Sequence, residues 1–225
     1  MKNKERNSLL KIDNFLESSE KINSSDENFN KLMFVYSAAL KQLETKMEIL
    51  KDEFEFFYGM SVIDHTMSRI KKPESIIKKL ESKNCDLTYR NLVENINDIA
   101  GLRVVCSFKN DIFTIVDVLK NMPDLNIISE KDYVTKPKKS GYSSYHLIVE
   151  VPVPFMKQII PVKSEIQIRT MAMDFWASLE HDLKYKTNNK ISKKVSNELV
   201  KCAKIINQMD NQMITINNDI HKTII

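Results

Sequence analysis

Glycine is nearly missing from this chain. Its 225 residues include three, Gly59, Gly101 and Gly141. A P-loop or a dinucleotide-binding turn gathers several glycines within about eight residues, so that backbone N–H groups can close on phosphate. Neither can form here, and any phosphate must be held by Lys and Arg side chains. Cysteine is scarce too. Cys85, Cys106 and Cys202 stand far apart with no Cys-x-x-Cys pair, which argues against a disulfide framework or zinc site and for a reducing cytoplasm. The four histidines, at 65, 146, 181 and 221, are too scattered for a metal-dependent His/Asp phosphohydrolase. No apolar run approaches the roughly 20 residues of a membrane span. The polar segment Met1–Ile12 has no signal-peptide core, so no membrane partner is expected. An excess of one charge is also lacking: 34 Lys+Arg against 30 Asp+Glu give a net charge of +4. That favours anionic small molecules and falls short of the basic stripe of a dedicated nucleic-acid binder.

What is present organises into a polar segment over 1–26, a mixed α/β unit with a long leading helix over 27–190, and a C-terminal helix over 191–225. A short helix is expected near Leu9–Leu16, and a cap at Ser25 or Asp26. Phe29, Met33, Tyr36, Leu40, Leu43, Met47, Leu50, Phe54 and Phe57 recur in steps of four and three, and Val195, Leu199, Cys202, Ile206, Met209, Met213, Ile216 and Ile220 repeat the pattern. Each is the stripe of an amphipathic helix, packed either on its own domain or across a subunit interface. Between them, Pro73–Lys83, Asp111–Asn121 and Met171–Lys186 read as helices. In the last, Thr170 is the N-cap and Ala172, Phe175, Trp176, Leu179 and Leu183 point inward. Gly101–Phe108, Asn126–Ser129, Tyr145–Val153 and Val162–Arg169 read as strands. The fold class expected is α+β, a mixed sheet of about five strands covered by helices.

Four segments could carry chemistry. In Val162–Arg169, Ile166 and Ile168 face one way while Lys163, Glu165, Gln167 and Arg169 face the other, which suits either a solvated face or the floor of a polar cleft. Asp98 precedes the next strand, and Gly101 and Arg103 lie within it. Arg69 and Lys71 stand before a helix start, where Ser75, Lys79 and the helix N-terminus could face one anion or else form part of a solvated basic helix. The loop Lys136–Gly141 runs into Tyr142, Tyr145 and His146, and lysines beside an exposed aromatic suit a nucleotide.

Taken in order, Arg69-Ile-Lys71-x-Pro-Glu-Ser75-Ile, Asp98-Ile-Ala-Gly-Leu-Arg103, Asp132-Tyr133-x₃-Lys136-Pro-Lys138-x₂-Gly141-Tyr142-x-Ser-Tyr-His146, Glu165-Ile-Gln-Ile-Arg169-Thr and Met173-Asp-Phe-Trp-Ala-Ser-Leu-Glu180-His181 resemble the RelA/SpoT-type synthetase domain. The absence of a hydrolase region makes the chain similar to the RelP/RelQ-like small alarmone synthetases. The resemblance implies transfer of pyrophosphate from ATP to the ribose 3′-oxygen of GDP, GTP or GMP, releasing AMP, with no hydrolase activity. It implies that Arg69 and Arg103 sandwich adenine and that Lys71, Ser75 and Lys79 hold the ATP phosphates. Asp98 and Glu165 would bind Mg²⁺, for which Mn²⁺ can substitute, and Glu165 would accept the 3′-hydroxyl proton. Tyr142 would stack on guanine, with Lys131, Lys138, His146, Gln167 and Arg169 around the acceptor. A homotetramer, or failing that a dimer, is expected, together with weak binding of single-stranded RNA. Ser143 replaces the Arg that usually follows the stacking tyrosine. Glu44, Glu48 and Asp174 stand where the product-activated subgroup has basic residues and an Asn. Two other readings remain: a toxin that pyrophosphorylates the tRNA 3′ end, and a non-catalytic RNA-binding scaffold.

Overall fold

The structure is a computed structural model that describes residues 21–24, 27–155, 158–187 and 191–223. The helix expected at Leu9–Leu16 and the cap at Ser25 or Asp26 lie outside the described residues. The elements run α1 (Glu27–Tyr58), β1 (Ile63–Ile70), α2 (Pro73–Ser82), α3 (Tyr89–Asn95), β2 (Ala100–Cys106), α4 (Lys109–Asn121), β3 (Asn126–Asp132), β4 (Tyr145–Phe155), β5 (Gln158–Thr170), α5 (Met171–Lys186) and α6 (Lys193–Thr223). The sheet order is β1-β2-β5-β4-β3. The central pair β2/β5 is parallel and the other pairs are antiparallel. This is the expected α+β class, a mixed five-stranded sheet with long helices at both ends.

The first stripe is an internal seam. Phe29, Tyr36, Leu40, Leu43, Met47 and Leu50 are buried together with Leu32, Val35 and Ala39. They share one core with Leu102 and Val104 of β2, Leu147 and Val149 of β4, and Ile160, Val162, Ile166 and Ile168 of β5. The stripe departs from expectation only at its end, where Phe57 is 71% exposed. There the helix is closed by Gly59 at φ +61, with Gly59 N–H donating to the Glu55 carbonyl at 3.1 Å and Met60 N–H to the Phe54 carbonyl at 3.2 Å. The second stripe behaves differently. Val195, Met209, Met213, Ile216 and Ile220 on α6 are exposed, so no described residue covers them.

Four local readings change. β1 was not expected as a strand. It is an edge strand whose only buried residue is Ile63, so no alternation marks it. α3 is a two-turn helix capped by Thr88, whose Oγ1 accepts from Asn91 N–H at 3.2 Å; its seven residues are too few for a period to show. On α5, Thr170 is the N-cap, accepting from Met173 N–H at 3.1 Å. The buried face, however, is Met173, Trp176 and Ala177, whereas Phe175 (63%), Leu179 and Leu183 are exposed. The helix carries two apolar stripes, and tertiary contact chose the other one. The strand expected to reach Phe108 ends at Cys106, because Phe108 starts α4: its N–H donates to Asp111 Oδ2 at 2.9 Å.

Candidate active site

Strand register builds the site. Arg69 lies beside Gly101, Gly101 beside Glu165, Arg103 beside Gln167, Gln167 beside His146, and His146 beside Lys131. Side chains alternate along a strand, so these residues share one face of the sheet, opposite the core under α1. The near-continuous polar row on β5 is therefore a floor. The Arg69 side chain lies over Gly101, its Cγ 3.8 Å from where a Cβ would stand, an ordinary packing distance.

Two cavities open on this face. One, of about 220 Å³, is lined by Arg69, Asp98, Gly101, Arg103, Glu165 and Gln167, among others. The second, of about 310 Å³, is lined by Lys79, Lys83, Asn97, Asp98, Ser129, Lys131, Tyr133, Lys138, His146 and Glu165, among others. Asp98 and Glu165 belong to both and form the wall between them.

Each carboxylate is held by side chains. Asp98 Oδ2 lies 2.9 Å from Lys71 Nζ, and its Oδ1 2.8 Å from Lys79 Nζ. Burial alone raises the Asp98 pKa, but the two lysines outweigh it and hold the carboxyl below its usual range. Glu165 Oε2 accepts from Gln167 Nε2 at 2.8 Å, and its Oε1 lies 3.1 Å from His146 Nδ1. Burial again raises the pKa, His146 and Gln167 lower it further than that, and the net direction is down. Both side chains are 16% exposed and ionised at neutral pH.

Tyr142 lines neither cavity and is embedded in a network beside the second. Arg169 NH2 donates to Tyr142 Oη at 2.6 Å and to Gln167 Oε1 at 2.6 Å. Tyr142 Oη is 2.8 Å from His146 Nε2. Arg169 can only donate, so the tyrosine proton is free to go to Nε2, and a neutral His146 then donates Nδ1–H to Glu165. Lys138 Nζ sits 4.6 Å from the Tyr133 ring centroid and 4.8 Å from that of Tyr142.

The structure brings together most of the residues expected from sequence. Arg69, Arg103, Asp98, Glu165 and Gln167 line the first cavity, and Lys79, Lys131, Lys138 and His146 the second. Lys71 reaches the shared wall through Asp98. Ser75 is exposed on the first turn of α2 and lines neither cavity. Arg169 lies beneath Tyr142 with its side chain 5% exposed, so it supports the tyrosine from below. Ser143 faces α5, its Oγ 3.6 Å from Met173 Sδ. Lys83, Asn97, Ser129 and Tyr133 were not expected at the site. Ser129 could have been found by stepping two residues back from Lys131 along β3, whereas Lys83 and Asn97 come from loops with no period to follow.

Lysines and arginines around a shared pair of ionised carboxylates, with a cavity on either side, are a charge arrangement that suits phosphoryl-type transfer. Residues 68–190 match the family model described as the region found in RelA / SpoT proteins. The chain is 45% identical over 194 residues to GTP pyrophosphokinase YwaC of Bacillus subtilis (strain 168), covering 86% of this chain and 92% of that protein. GTP pyrophosphokinase YjbM of the same strain is 32% identical over 197 residues, covering 88% and 92%. Among solved structures, small alarmone synthetase 2 from Bacillus subtilis superimposes with a TM-score of 0.79 at 45% identity, over 86% of this chain and 100% of that one. Small alarmone synthetase 1 from the same species, bound to its product pppGpp, gives 0.80 at 33% identity over 86% and 98%. The chain belongs to the RelA/SpoT family, within the small alarmone synthetases.

Proposed function

We propose that this protein synthesises guanosine alarmones, moving the β,γ-pyrophosphoryl group of ATP to the ribose 3′-oxygen of GDP or GTP and releasing AMP. The observation that carries this reading is the wall shared by the two cavities: donor and acceptor clefts meet at Asp98 and Glu165. Arg69 and Arg103 flank the donor cleft and suit a planar base. Lys71 and Lys79, paired with Asp98 at the shared wall, are the cations for the transferred phosphates, Lys79 reaching them from the second cavity, which it lines. Tyr142, above Arg169, is the platform for guanine. Lys131 and Lys138 face the acceptor phosphates.

In the reaction a bond forms between the 3′-oxygen and the β-phosphorus, and the bond from that phosphorus to the bridging oxygen of AMP breaks. Glu165, ionised at the junction, accepts the 3′-hydroxyl proton. His146 and Gln167 hold its two oxygens in place for that transfer.

Asp98 and Glu165 offer only oxygen donors, both ionised, at one wall, which is the donor set a hard divalent cation takes. They would hold Mg²⁺ or Mn²⁺, whose contribution when bound is to neutralise charge on the transferred group. The exposed stripe of α6, with Phe175, Leu179 and Leu183 of α5, supports assembly, and we place the protein as a homotetramer. No helix among the described residues is long and apolar enough to cross a membrane; together with the unpaired cysteines this supports a cytoplasmic location.

The test is product chromatography from labelled ATP with GMP, GDP, GTP or tRNA as acceptor. A 3′-pyrophosphorylated guanosine nucleotide is the expected product, and label carried on tRNA alone would overturn the reading. Asp98→Asn and Glu165→Gln should each lower turnover by at least about a hundredfold while circular dichroism stays unchanged. Near-wild-type turnover of either variant would remove the metal and base assignments.

A further inference from the structure

One more group links the two sides of the site. Asp174, on the first turn of α5, lies outside both cavity linings. Its Oδ1 nevertheless sits 3.0 Å from Arg103 NH1 and 3.1 Å from Arg169 NH1. Arg103 faces the donor cleft, and Arg169 lies under Tyr142 of the acceptor side, its guanidinium 5.1 Å from the ring centroid. We propose that Asp174 is a positioning residue for both substrates: a single carboxylate oxygen fixes the arginine that meets adenine and the arginine that supports the guanine platform. The proposal rests on the alarmone-synthetase reading above.

Three observations support it. First, the two guanidinium groups crowd one region. Burial lowers the Arg103 pKa, and Arg169 lowers it further, with Asp174 opposing both. Without the carboxylate the two cations would repel, and Arg169, almost fully buried, would be left with neutral partners only: Ser144, Tyr142 and Gln167. Second, Arg103 has a buried Nε with no hydrogen-bond partner, so NH1 to Asp174 is its anchor. Third, Asp174 is itself fixed. α5 begins at Thr170, whose Oγ1 caps the helix and also donates to the buried Asp210 of α6 at 2.9 Å. The first turn, and Asp174 on it, is thereby held against α6.

The experiment uses full-length Asp174→Asn, an isosteric change that removes charge and keeps the helix. Titration calorimetry measures binding of a non-hydrolysable ATP analogue and, separately, of GDP; steady-state kinetics give KM and kcat for both substrates. Losing a carboxylate that pairs with both arginines, and is hydrogen-bonded by Arg169, should weaken both nucleotides, each by about 10- to 100-fold. Double variants test the route. Asp174→Asn combined with Arg103→Gln should add little to the ATP defect of Arg103→Gln alone. Asp174→Asn combined with Arg169→Gln should add little to the GDP defect of Arg169→Gln alone. Wild-type affinity for either nucleotide in Asp174→Asn overturns the proposal, as does a fall in melting temperature with both affinities intact. Full additivity in both double variants overturns it too. If the wild-type protein binds neither nucleotide, the alarmone reading fails and this inference falls with it.

Discussion

Gly141→Ala is the most informative single change outside the charged groups. Gly141 precedes Tyr142 and has φ +94, a region that side-chain-bearing residues rarely adopt. A Cβ there would stand 2.6 Å from Ala203 Cβ, 3.4 Å from Trp176 Cζ2 and 3.5 Å from Val200 Cα. The backbone cost is about 1–2 kcal/mol, and forcing a methyl into a packed contact adds about 1–3 kcal/mol. Base stacking on Tyr142 is worth about 1–3 kcal/mol. The strain therefore matches or exceeds what holds the tyrosine under a base, and the loop, anchored by Gly141 N–H to the Lys138 carbonyl at 2.8 Å and Lys138 N–H to the Tyr142 carbonyl at 3.0 Å, should yield. Acceptor affinity should fall by roughly 5- to 150-fold, the full value of stacking, while the KM for ATP moves less than about threefold. Steady-state kinetics with each substrate varied against saturating partner give the split. Adding Ala203→Gly removes the atom at 2.6 Å and should restore part of the loss, leaving only the backbone cost. The reasoning is refuted if acceptor KM is unchanged while stability drops, or if both KM values rise together.

Tyr142→Ala should raise the acceptor KM by about 5- to 150-fold and leave ATP nearly untouched; equal effects on both, measured in the same assay, would place the tyrosine elsewhere. Leu43→Glu should unfold the chain rather than dissociate an assembly, because Leu43 is 0% exposed in the core under the sheet and a buried unpaired carboxylate costs several kcal/mol; a folded monomer by circular dichroism and light scattering would contradict this. Asp210→Asn should raise the melting temperature at neutral pH. Burial raises the Asp210 pKa despite Thr170 and Lys109, so ionisation disfavours the fold once pH passes the unfolded value of about 3.9, whereas an amide oxygen still accepts from Thr170. Melting curves should show the gain shrink below about pH 4, and an equal gain at every pH would refute the cause.

The legible parts of the sequence were those with a strong period and a single partner. β5 alternates from Ile160 to Ile168 because one side faces the core and the other the clefts, so both fold and site could be read from Ile166, Ile168, Glu165 and Gln167. β1 escaped for the opposite reason: an edge strand with exposed Met67 and one buried residue has no face to announce. α5 carries apolar residues on two sides, and sequence cannot say which meets the sheet. The first heptad stripe has the same period whether it meets a partner or its own sheet, and only the structure assigns it to the sheet. The charged positions at the site were readable as residue types in order, but their pairing was not. That Lys71 and Lys79 converge on Asp98, or that Asp174 joins two arginines, depends on a helix following a strand at a particular angle, which no spacing along the chain encodes.

The shortage of glycine has an evolutionary edge. A backbone cradle for phosphate is present whatever side chains surround it, so substitution rarely removes one contact at a time. Here the cations that face the clefts are separate lysines and arginines, carried by β1, α2, β2, β3 and the loops beside them. One codon change can delete, add or relocate a single cation while the sheet beneath stays intact. A site assembled this way can drift between guanosine nucleotides by small steps, and Ser143, whose hydroxyl turns to Met173 of α5, adds no cation to it.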